Sequence, residues 1–253
     1  MEPLLFAFRY FTNLPLPRES RWDENTTASS LTWLPLTGAA VGCCLAALAI
    51  LMRNIGFPQY PMLSGVLILA MELWTGGTLF LDGFCKTIDV LFARPGTVRR
   101  LEIISERYLG TKGAMGCMIT LLAKVSLIAE FSAYDDFIYV VLFYPCWSRW
   151  AFSFASSNYM VLRDEGMAFF FKINQKPMYI ILSSAFMITT LLFMPAYFYL
   201  AALASFLVIL FLCSLIQNRM GGHTEETYGL VSIAGELSLL LLCGVSKALF
   251  HAL

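Results

Sequence analysis

Long apolar runs alternate with short polar segments along almost the whole chain. Seven of these runs approach the ~20 residues that a helix needs to cross a bilayer. They cover roughly residues 31–52, 61–81, 113–133, 137–156, 178–194, 197–216 and 228–250. The pattern predicts an all-α fold: a polytopic membrane helical bundle of about seven transmembrane helices, in a single integral membrane domain over residues 1–253. Pro195 leaves open whether 178–216 crosses twice or forms one kinked hairpin.

The N-terminal stretch differs from these runs because it is apolar on one side only. Leu4, Leu5, Phe8 and Phe11 fall on roughly one side of a helix, and Pro15 follows shortly after. The spacing predicts a short helix that lies in the membrane interface and ends before the proline.

The first long run contains a GxxxG step from Gly38 to Gly42. Small residues at this spacing let two membrane helices approach closely. We therefore expect one face of the first span to pack tightly against a neighbouring helix.

Composition supports a membrane protein and excludes several other classes. The chain is 58% hydrophobic and only 13% charged, whereas soluble domains are about 25% charged. Seventeen basic and seventeen acidic residues cancel, so no excess charge indicates a nucleic-acid partner. The seven cysteines show no CxxC spacing and no nearby histidine cluster. We read them as small buried hydrophobic residues and expect neither a zinc site nor a disulfide framework.

Basic residues predict the orientation of the bundle. With a cytoplasmic N-terminus and seven crossings, the inner segments would be 1–30, 82–112, 157–177 and 217–227, which hold three, six, three and one Lys or Arg, thirteen of the seventeen. Positive charge favours the cytoplasmic side. All the polar segments that carry candidate motifs are therefore expected to face the cytoplasm together.

Ionisable residues inside the predicted spans include Lys124 and Glu130 in the third, Arg149 in the fourth and Glu236 in the seventh. Each would cost several kcal/mol facing lipid, so we expect them to face the bundle interior or one another. Two interpretations are open, a set of structural ion pairs or a polar pocket continuous with the cytoplasmic segments.

The segment after the second run carries two acidic patterns at helical spacing. Asp82, Lys86 and Asp89 lie at i, i+4 and i+7, and Glu102 and Glu106 repeat the i, i+4 step. Carboxylates are hard oxygen ligands that suit Mg²⁺, and the arginines and lysines around them can neutralise phosphate oxygens. The alternative is an ordinary charged loop solvated at the membrane surface.

The start of the last run combines Gly221 and Gly222 with Thr224 and two glutamates. Glycines permit close backbone approach, and polar groups at a helix N-terminus suit an anion. An ordinary helix start with a threonine cap explains the same pattern. His223 has no partner at metal-ligand spacing, so we do not assign it as a ligand.

Taken in order, these motifs resemble the cobalamin-5′-phosphate synthase family, also called adenosylcobinamide-GDP ribazoletransferases. The family pattern T-G-G-x-H-x-D-G-L-A-D-T-x-D-G is matched in part by 75–77 and 81–90, R-x-L-E-I-M-x-D-S-x-x-G-T-x-G by 100–113, and G-G-x-T-G-D-T-x-G by 221–229. Shorter matches at 11–15, 123–124, 148–149 and 163–166 fall in the expected order.

The resemblance implies an Mg²⁺-dependent phosphotransferase. It would transfer the adenosylcobinamide phosphate moiety from adenosylcobinamide-GDP to α-ribazole or its 5′-phosphate and release GMP, in the last steps of cobamide biosynthesis. The implied location is the cytoplasmic (inner) membrane of a bacterium or archaeon, with the active face cytoplasmic. The implied partners are these two substrates, membrane lipid and other enzymes of cobamide assembly.

The resemblance also implies roles for individual residues. The metal ligands for one or two Mg²⁺ would be Asp82, Asp89, Glu102 and Glu106. The catalytic set would be Asp82, Asp89, Glu106 and Glu226, with Glu226 either a further ligand or the group that orients the attacking hydroxyl. The substrate-binding set, for the diphosphate and the GMP leaving group, would be Lys86, Lys124, Arg149, Arg163 and Thr224.

Several positions depart from the family pattern. Phe80 stands near the place of a histidine, Lys86 replaces an aspartate, Glu106 replaces an aspartate, and Glu225-Glu226 replaces Gly-Asp. The metal would then have fewer ligands, Lys86 would contact a phosphate, or activity would be lost. A catalytically lapsed relative that binds a corrinoid or a partner protein is therefore an alternative.

Two further alternatives are less favoured. A CDP-alcohol phosphotransferase would need Ala-Arg after Asp82-Gly83 at its motif spacing, which this chain lacks. A transporter would place its charged motifs near the bilayer midplane rather than on one face.

Overall fold

The computed structural model describes residues 2–16, 23–92, 104 and 109–252. Over these residues the fold is all-α, as predicted, and the only β-type pairing in this part of the chain is an isolated bridge between Val161 and His223.

The helices follow the predicted apolar runs. They are α1 Glu2–Phe11, α2 Glu24–Ser30, α3 Leu34–Asn54, α4 Pro61–Gly76, α5 Leu79–Leu91, α6 Thr111–Phe131, α7 Phe137–Asn158, α8 Met167–Ile173, α9 Pro177–Leu192, α10 Tyr197–Met220 and α11 Glu225–Ala252. Prolines occupy the first turn of α3, α4 and α9, where a missing N–H costs nothing and the fixed φ suits a helix. A turn at residues 193–196 separates α9 from α10 at Pro195.

The long helices run between two polar ends of the bundle. At the first, which we call the Asp136 end, Arg53 pairs with Asp135 and Lys247 pairs with Asp136, while the Tyr197 hydroxyl donates to Asp136. At the other, which we call the Glu226 end, the N-terminus of α11 packs against α5. Successive long helices run in opposite directions between these two ends, in the order α3, α4, α6, α7, α9, α10 and α11.

Four stretches of the described residues are long and apolar enough to cross a membrane by themselves: Glu24–Asn54, Thr111–Phe131, Tyr197–Met220 and Glu225–Phe250. A fifth candidate consists of α4 and α5 together, which are bent by 98°. The chain is thus a multi-pass membrane protein. The helix α9 is apolar but has only 16 residues, so the exact number of seven crossings stays a prediction.

The second apolar run does not form one helix, in contrast to the prediction for 61–81. Its helix ends at Gly76, and residues 79–81 begin α5 in a new direction. Gly77 joins the two with φ +73°, a backbone conformation that glycine adopts without steric cost. The Gly pair therefore turns the chain across the Glu226 end instead of continuing along the bundle.

The predicted GxxxG contact is confirmed. A Cβ atom on Gly38 would collide with the Pro145 carbonyl and the Cys146 Cα, and one on Gly42 would collide with the Leu142 carbonyl. Both glycines of α3 therefore lie directly on the backbone of α7.

The N-terminal helix α1 covers part of the Glu226 end. Phe6, Ala7 and Phe11 are buried on its inner side. The Phe11 ring centroid lies 5.8 Å from that of Phe80 and 5.1 Å from that of Phe152. The short helix that ends before Pro15 is as predicted, but of the four residues on its predicted apolar side only Phe11 is buried, while Leu4, Leu5 and Phe8 are half-buried. Its position in the membrane interface stays a prediction.

Two sequence-based expectations need correction. Glu130 is exposed near the Asp136 end of α6, so the prediction that it faces the bundle interior or another intramembrane ion was wrong. Cys43 is also exposed, whereas Cys85, Cys146, Cys213 and Cys243 are buried as expected. All seven cysteines are free thiols.

Candidate active site

A pocket at the Glu226 end brings together residues that are far apart in the sequence. We call it the acidic pocket. It is lined by Tyr10, Leu79, Phe80, Asp82, Gly83, Lys86, Phe152, Glu225, Glu226 and Gly229. Two glycines make it possible: a Cβ on Gly83 would lie 2.7 Å from the Glu226 carbonyl, and one on Gly229 would lie 2.8 Å from the Phe80 carbonyl. The start of α11 therefore rests directly on the helix that carries Asp82.

Asp82 and Lys86 form an ion pair on the rim of this pocket. The Lys86 Nζ lies 2.9 Å from the Asp82 Oδ2, and their side chains are 22% and 56% exposed. A pair this exposed contributes little to stability. The charges of Arg163 and Lys86 both act on Glu225, and Lys86 is the one of these two cations that lines the pocket.

Glu226 presents an unusual carboxylate. Its Oε2 is buried and has no hydrogen-bond partner in the described structure. A buried acceptor without a partner costs about 1–3 kcal/mol or more when charged, and such groups in folded proteins call for a functional explanation. Glu225 differs, because its carboxylate accepts a hydrogen bond from the Met167 N–H and lies within the field of Arg163.

Tyr10 closes the pocket from the N-terminal side. Burial, reinforced by the charges of Glu225 and Glu226, raises the pKa of its hydroxyl above the ordinary value. The phenol therefore stays protonated at neutral pH and remains a hydrogen-bond donor beside the two glutamates.

Asp89 does not line the acidic pocket. Its Oδ2 accepts from the Gly110 N–H and its Oδ1 from the Gly113 N–H, both at 2.7 Å. These amides belong to the start of α6. The side chain thus connects α5 to the next helix, although it lies at the predicted i+7 position from Asp82.

The other two predicted metal ligands, Glu102 and Glu106, lie outside the described residues. Within the described ranges, no three His, Cys, Asp or Glu side chains come together as a group that could hold a metal ion. Asp82 and Glu226 supply oxygen donors of the kind Mg²⁺ prefers. A complete site would need further donors from beyond these two residues.

Below the acidic pocket lies a second polar group, which we call the buried charge cluster: Glu72, Lys124, Tyr144 and Glu236. The Lys124 Nζ is 2.6 Å from the Glu72 Oε1 and also pairs with Glu236, and the Tyr144 hydroxyl donates to the Glu72 Oε2 at 2.8 Å. The cluster joins α4, α6, α7 and α11. It confirms that Lys124 and Glu236 face one another inside the bundle.

Glu72 was missed by the sequence analysis. It stands in the middle of the apolar run 61–81 and is 7% exposed. An acidic residue at that depth is the same signal that singled out Glu236. Applied to every run, that rule identifies Glu72 as well.

Arg149 lies beside the cluster but is not bonded to it. It is 2% exposed, its Nη1 donates to the Pro145 carbonyl at 3.2 Å, and its Nε has no partner in the described structure. The guanidinium carbon lies 5.3 Å from the centroid of the Phe80 ring. Phe80 lines both the acidic pocket, with Asp82, and the neighbouring cavity, with Arg149.

The residues before α11 form a tightly bonded turn. The His223 Nε2 lies 3.1 Å from the Cys213 carbonyl and its Nδ1 lies 3.2 Å from the Thr227 hydroxyl. Burial lowers the pKa of His223 to about 4, so the neutral ring has a structural role. The Thr224 hydroxyl is buried without a hydrogen-bond partner in the described structure, so it does not make the cap that an ordinary helix start would have.

The predicted site residues therefore separate into three places. Asp82, Lys86 and Glu226 meet in the acidic pocket, with Glu225 and Tyr10 as additions. Lys124 and Arg149 lie deeper, below Phe80. Asp89, Thr224 and Arg163 surround the pocket without lining it.

The fold and the site define a class, a multi-pass helical membrane protein with a charged pocket at one end of its bundle. Comparison with known proteins identifies the family. The chain belongs to the cobalamin-5-phosphate synthase family, whose model matches residues 3–244. This membership favours the predicted resemblance over a CDP-alcohol phosphotransferase or a transporter.

Individual relatives carry one enzyme name. The adenosylcobinamide-GDP ribazoletransferase of Desulfitobacterium hafniense (strain Y51) is 29% identical over 250 residues, covering 95% of this chain and 96% of the relative. The protein of the same name from Synechococcus elongatus is 30% identical over 232 residues, 89% of each chain. That of Escherichia coli (strain SMS-3-5) is 29% identical over 250 residues, covering 95% of this chain and 99% of the relative. No solved structure matches the chain.

Proposed function

We propose that this protein is an adenosylcobinamide-GDP ribazoletransferase. It transfers the adenosylcobinamide phosphate moiety from adenosylcobinamide-GDP to α-ribazole or its 5′-phosphate and releases GMP, in the last steps of cobamide synthesis. Family membership over residues 3–244 and relatives of that name that align along nearly their whole length support this assignment.

The observation that carries the proposal is the meeting of Asp82, Lys86 and Glu226 in one pocket. Asp82 and Glu226 come from two separate family motifs, and Gly83 and Gly229 of the same motifs allow their helices to touch. Residues from separate family motifs therefore line one pocket, and we propose that it holds the diphosphate and the attacking hydroxyl together.

The residues of the pocket have distinct chemical tasks in this proposal. Phosphoryl transfer depends on alignment and charge neutralisation more than on covalent catalysis. Glu226, with its unpartnered oxygen, orients the attacking hydroxyl of the acceptor and accepts its proton as the new P–O bond forms and the P–O bond to GMP breaks. Lys86 neutralises a phosphate oxygen, and Tyr10 donates a hydrogen bond from the opposite wall. Arg149 and Lys124 support the pocket floor from behind Phe80.

We also propose Mg²⁺ as the cofactor. Asp82 and Glu226 would hold it together with Glu102 and Glu106. The carboxylate donors and the unpartnered oxygen of Glu226 fit a hard divalent cation. When bound, the ion neutralises phosphate oxygens. We leave Asp89 out of this set because both of its oxygens already accept amide hydrogens.

We further propose the cytoplasmic membrane as the location, with the acidic pocket on the cytoplasmic side. The distribution of thirteen of the seventeen basic residues over the segments on that side supports the orientation. Water-soluble substrates would then reach the pocket directly, and other enzymes of cobamide assembly would associate on the same face.

A catalytically lapsed relative remains the second candidate. The observation in its favour is Lys86, which replaces an acidic residue of the family pattern and pairs with Asp82. A lysine in that position repels a metal ion. Its ion pair also engages the Asp82 carboxylate, which is a proposed metal ligand.

One experiment separates the two candidates. Detergent-purified protein is incubated with adenosylcobinamide-GDP, α-ribazole or its 5′-phosphate, and Mg²⁺ or EDTA, and GMP is quantified. We expect Mg²⁺-dependent GMP release from the unaltered protein and at least a 100-fold loss in Asp82→Asn. Glu130→Gln, on the exposed surface near the other end, is the control and should match the unaltered protein. If GMP release is seen only in Lys86→Asp, the unaltered protein is a catalytically lapsed relative instead.

A further inference from the structure

We propose that Asp89 is a positioning residue that anchors the start of α6 to α5, the helix that carries Asp82 and Lys86. The proposal goes beyond the proposed function, which uses Asp89 nowhere. It depends on that function only for its activity measurement.

The carboxylate of Asp89 is fully engaged with backbone amides. Each of its oxygens accepts one N–H at 2.7 Å, from Gly110 and from Gly113. These are N–H groups of the first turn of α6, which lack partners inside their own helix. An ionised carboxylate bonded to them is stabilised by charge-assisted hydrogen bonds and by the helix dipole.

A second contact reinforces the first. The Lys112 Nζ donates to the carbonyl of Phe92, the residue that follows α5. The chain therefore leaves α5 and returns to α6 at adjacent points, tied by Asp89 on one side and Lys112 on the other. The two contacts together hold the start of α6 against the C-terminal part of α5.

Glycine is required where the amides meet the carboxylate. A Cβ on Gly113 would collide with the Asp89 Oδ2 and the Cys85 carbonyl, and a Cβ on Gly110 would lie 2.5 Å from the Asp89 Oδ1. Gly116 lies one turn further along α6, and a Cβ there would meet only the Ile88 side chain, at 3.2 Å. Gly113→Ala should therefore displace the carboxylate, and Gly116→Ala is its matched control.

A conservative substitution distinguishes positioning from metal binding. Asparagine caps helix N-termini about as well as aspartate, whereas alanine does not. If Asp89 positions the start of α6, Asp89→Asn should keep at least ten times the GMP-release rate of Asp89→Ala. If Asp89 is instead a metal ligand, both variants lose activity to the same extent, and that result would overturn the proposal.

Hydrogen exchange tests the contact without any need for activity. We expect the amides of a peptide covering 109–116 to exchange at least tenfold faster in Asp89→Ala and Gly113→Ala than in the unaltered protein, and at an unchanged rate in Gly116→Ala. Unchanged exchange in Asp89→Ala would refute the anchoring role. Absence of GMP release from the unaltered protein would refute the proposed function and leave this exchange test valid.

Discussion

At the scale of single residues, the carboxylates of this protein differ in what they contact. Glu72 and Glu236 share the ammonium of Lys124, and Asp89 is bonded to amides. Among these four, Glu226 is the one with a buried oxygen that has neither a hydrogen bond nor an ion pair in the described structure. The first three therefore contribute to structure, and Glu226 is the one available for chemistry.

Replacing Glu226 should separate activity from stability. We expect Glu226→Gln to lower GMP release at least 100-fold and to leave the melting temperature within a few degrees of the unaltered protein, because the side chain has the same shape and its Oε2 bonds nothing in the fold. Thermal unfolding and GMP assays on the same preparation provide the measurement. A variant that loses stability and activity together would show that Glu226 has a structural role.

Replacing Lys124 should have the opposite effect. Lys124→Met removes the ammonium that pairs with two buried carboxylates, and breaking a buried pair in this way costs about 3–5 kcal/mol. The control is Arg53→Met, since its ion pair with Asp135 is exposed and should contribute at most about 1 kcal/mol. Unfolding in detergent measures both, and equal stability of the two variants would contradict the charge cluster.

His223 should make the protein sensitive to acid. Because its pKa is about 4 in the fold and about 6.5 when unfolded, the unfolded state binds a proton first as the pH falls. The stabilisation is complete above pH 6.5 and is lost progressively toward pH 4, with about 2 kcal/mol gone by about pH 5. Unfolding measured at about pH 7 and pH 5 tests this. His223→Gln should remove most of the difference, and an equally large difference in that variant would assign it to other groups.

Residue patterns in the sequence identified Asp82, Lys86 and Glu226, but they did not show which predicted ligands would meet. The i, i+7 spacing placed Asp82 and Asp89 on one helix face without showing that Asp89 would bond the start of α6. Glu72 was not predicted, although it gives the same signal as Glu236, an acidic residue inside an apolar run. The positions of Glu102 and Glu106 lie outside the described residues, so their predicted role as ligands is still a prediction.

At the scale of helices, glycines determine how the elements meet. Gly38 and Gly42 bring α3 onto α7, and Gly83 and Gly229 bring α5 onto α11. The first contact could be predicted, because GxxxG within one apolar run is a local signal. The second could not, since it pairs glycines about 150 positions apart in the chain, and only the fold shows that they face each other.

A methyl group at the α3–α7 contact should be destabilising. In Gly38→Ala the new Cβ meets the backbone of Pro145 and Cys146, which cannot move away as a flexible side chain can, and overpacking of this kind costs about 1–3 kcal/mol. Gly244→Ala is the control, because its Cβ would meet only Phe131 at 3.9 Å. Unfolding in detergent should show a loss in the first variant only. A loss of similar size in both would contradict close backbone packing at Gly38.

At the scale of the whole molecule, charge is sorted between two ends and one buried layer. The Asp136 end is closed by ion pairs, the buried charge cluster joins four helices in the interior, and the acidic pocket opens at the Glu226 end. The positive-inside distribution predicted that the motif-bearing segments share one face. The 98° bend between α4 and α5, which brings Asp82 over that face, was not predictable from an apolar run that continues through Gly76 and Gly77.

The central claim is that Asp82 and Glu226 act in one pocket, and a double-mutant cycle on GMP release tests it most directly. Residues that act together show strongly non-additive losses. We predict that Asp82→Asn combined with Glu226→Gln releases GMP no more than tenfold more slowly than the slower single variant. Losses that multiply would mean that the two carboxylates act in separate sites.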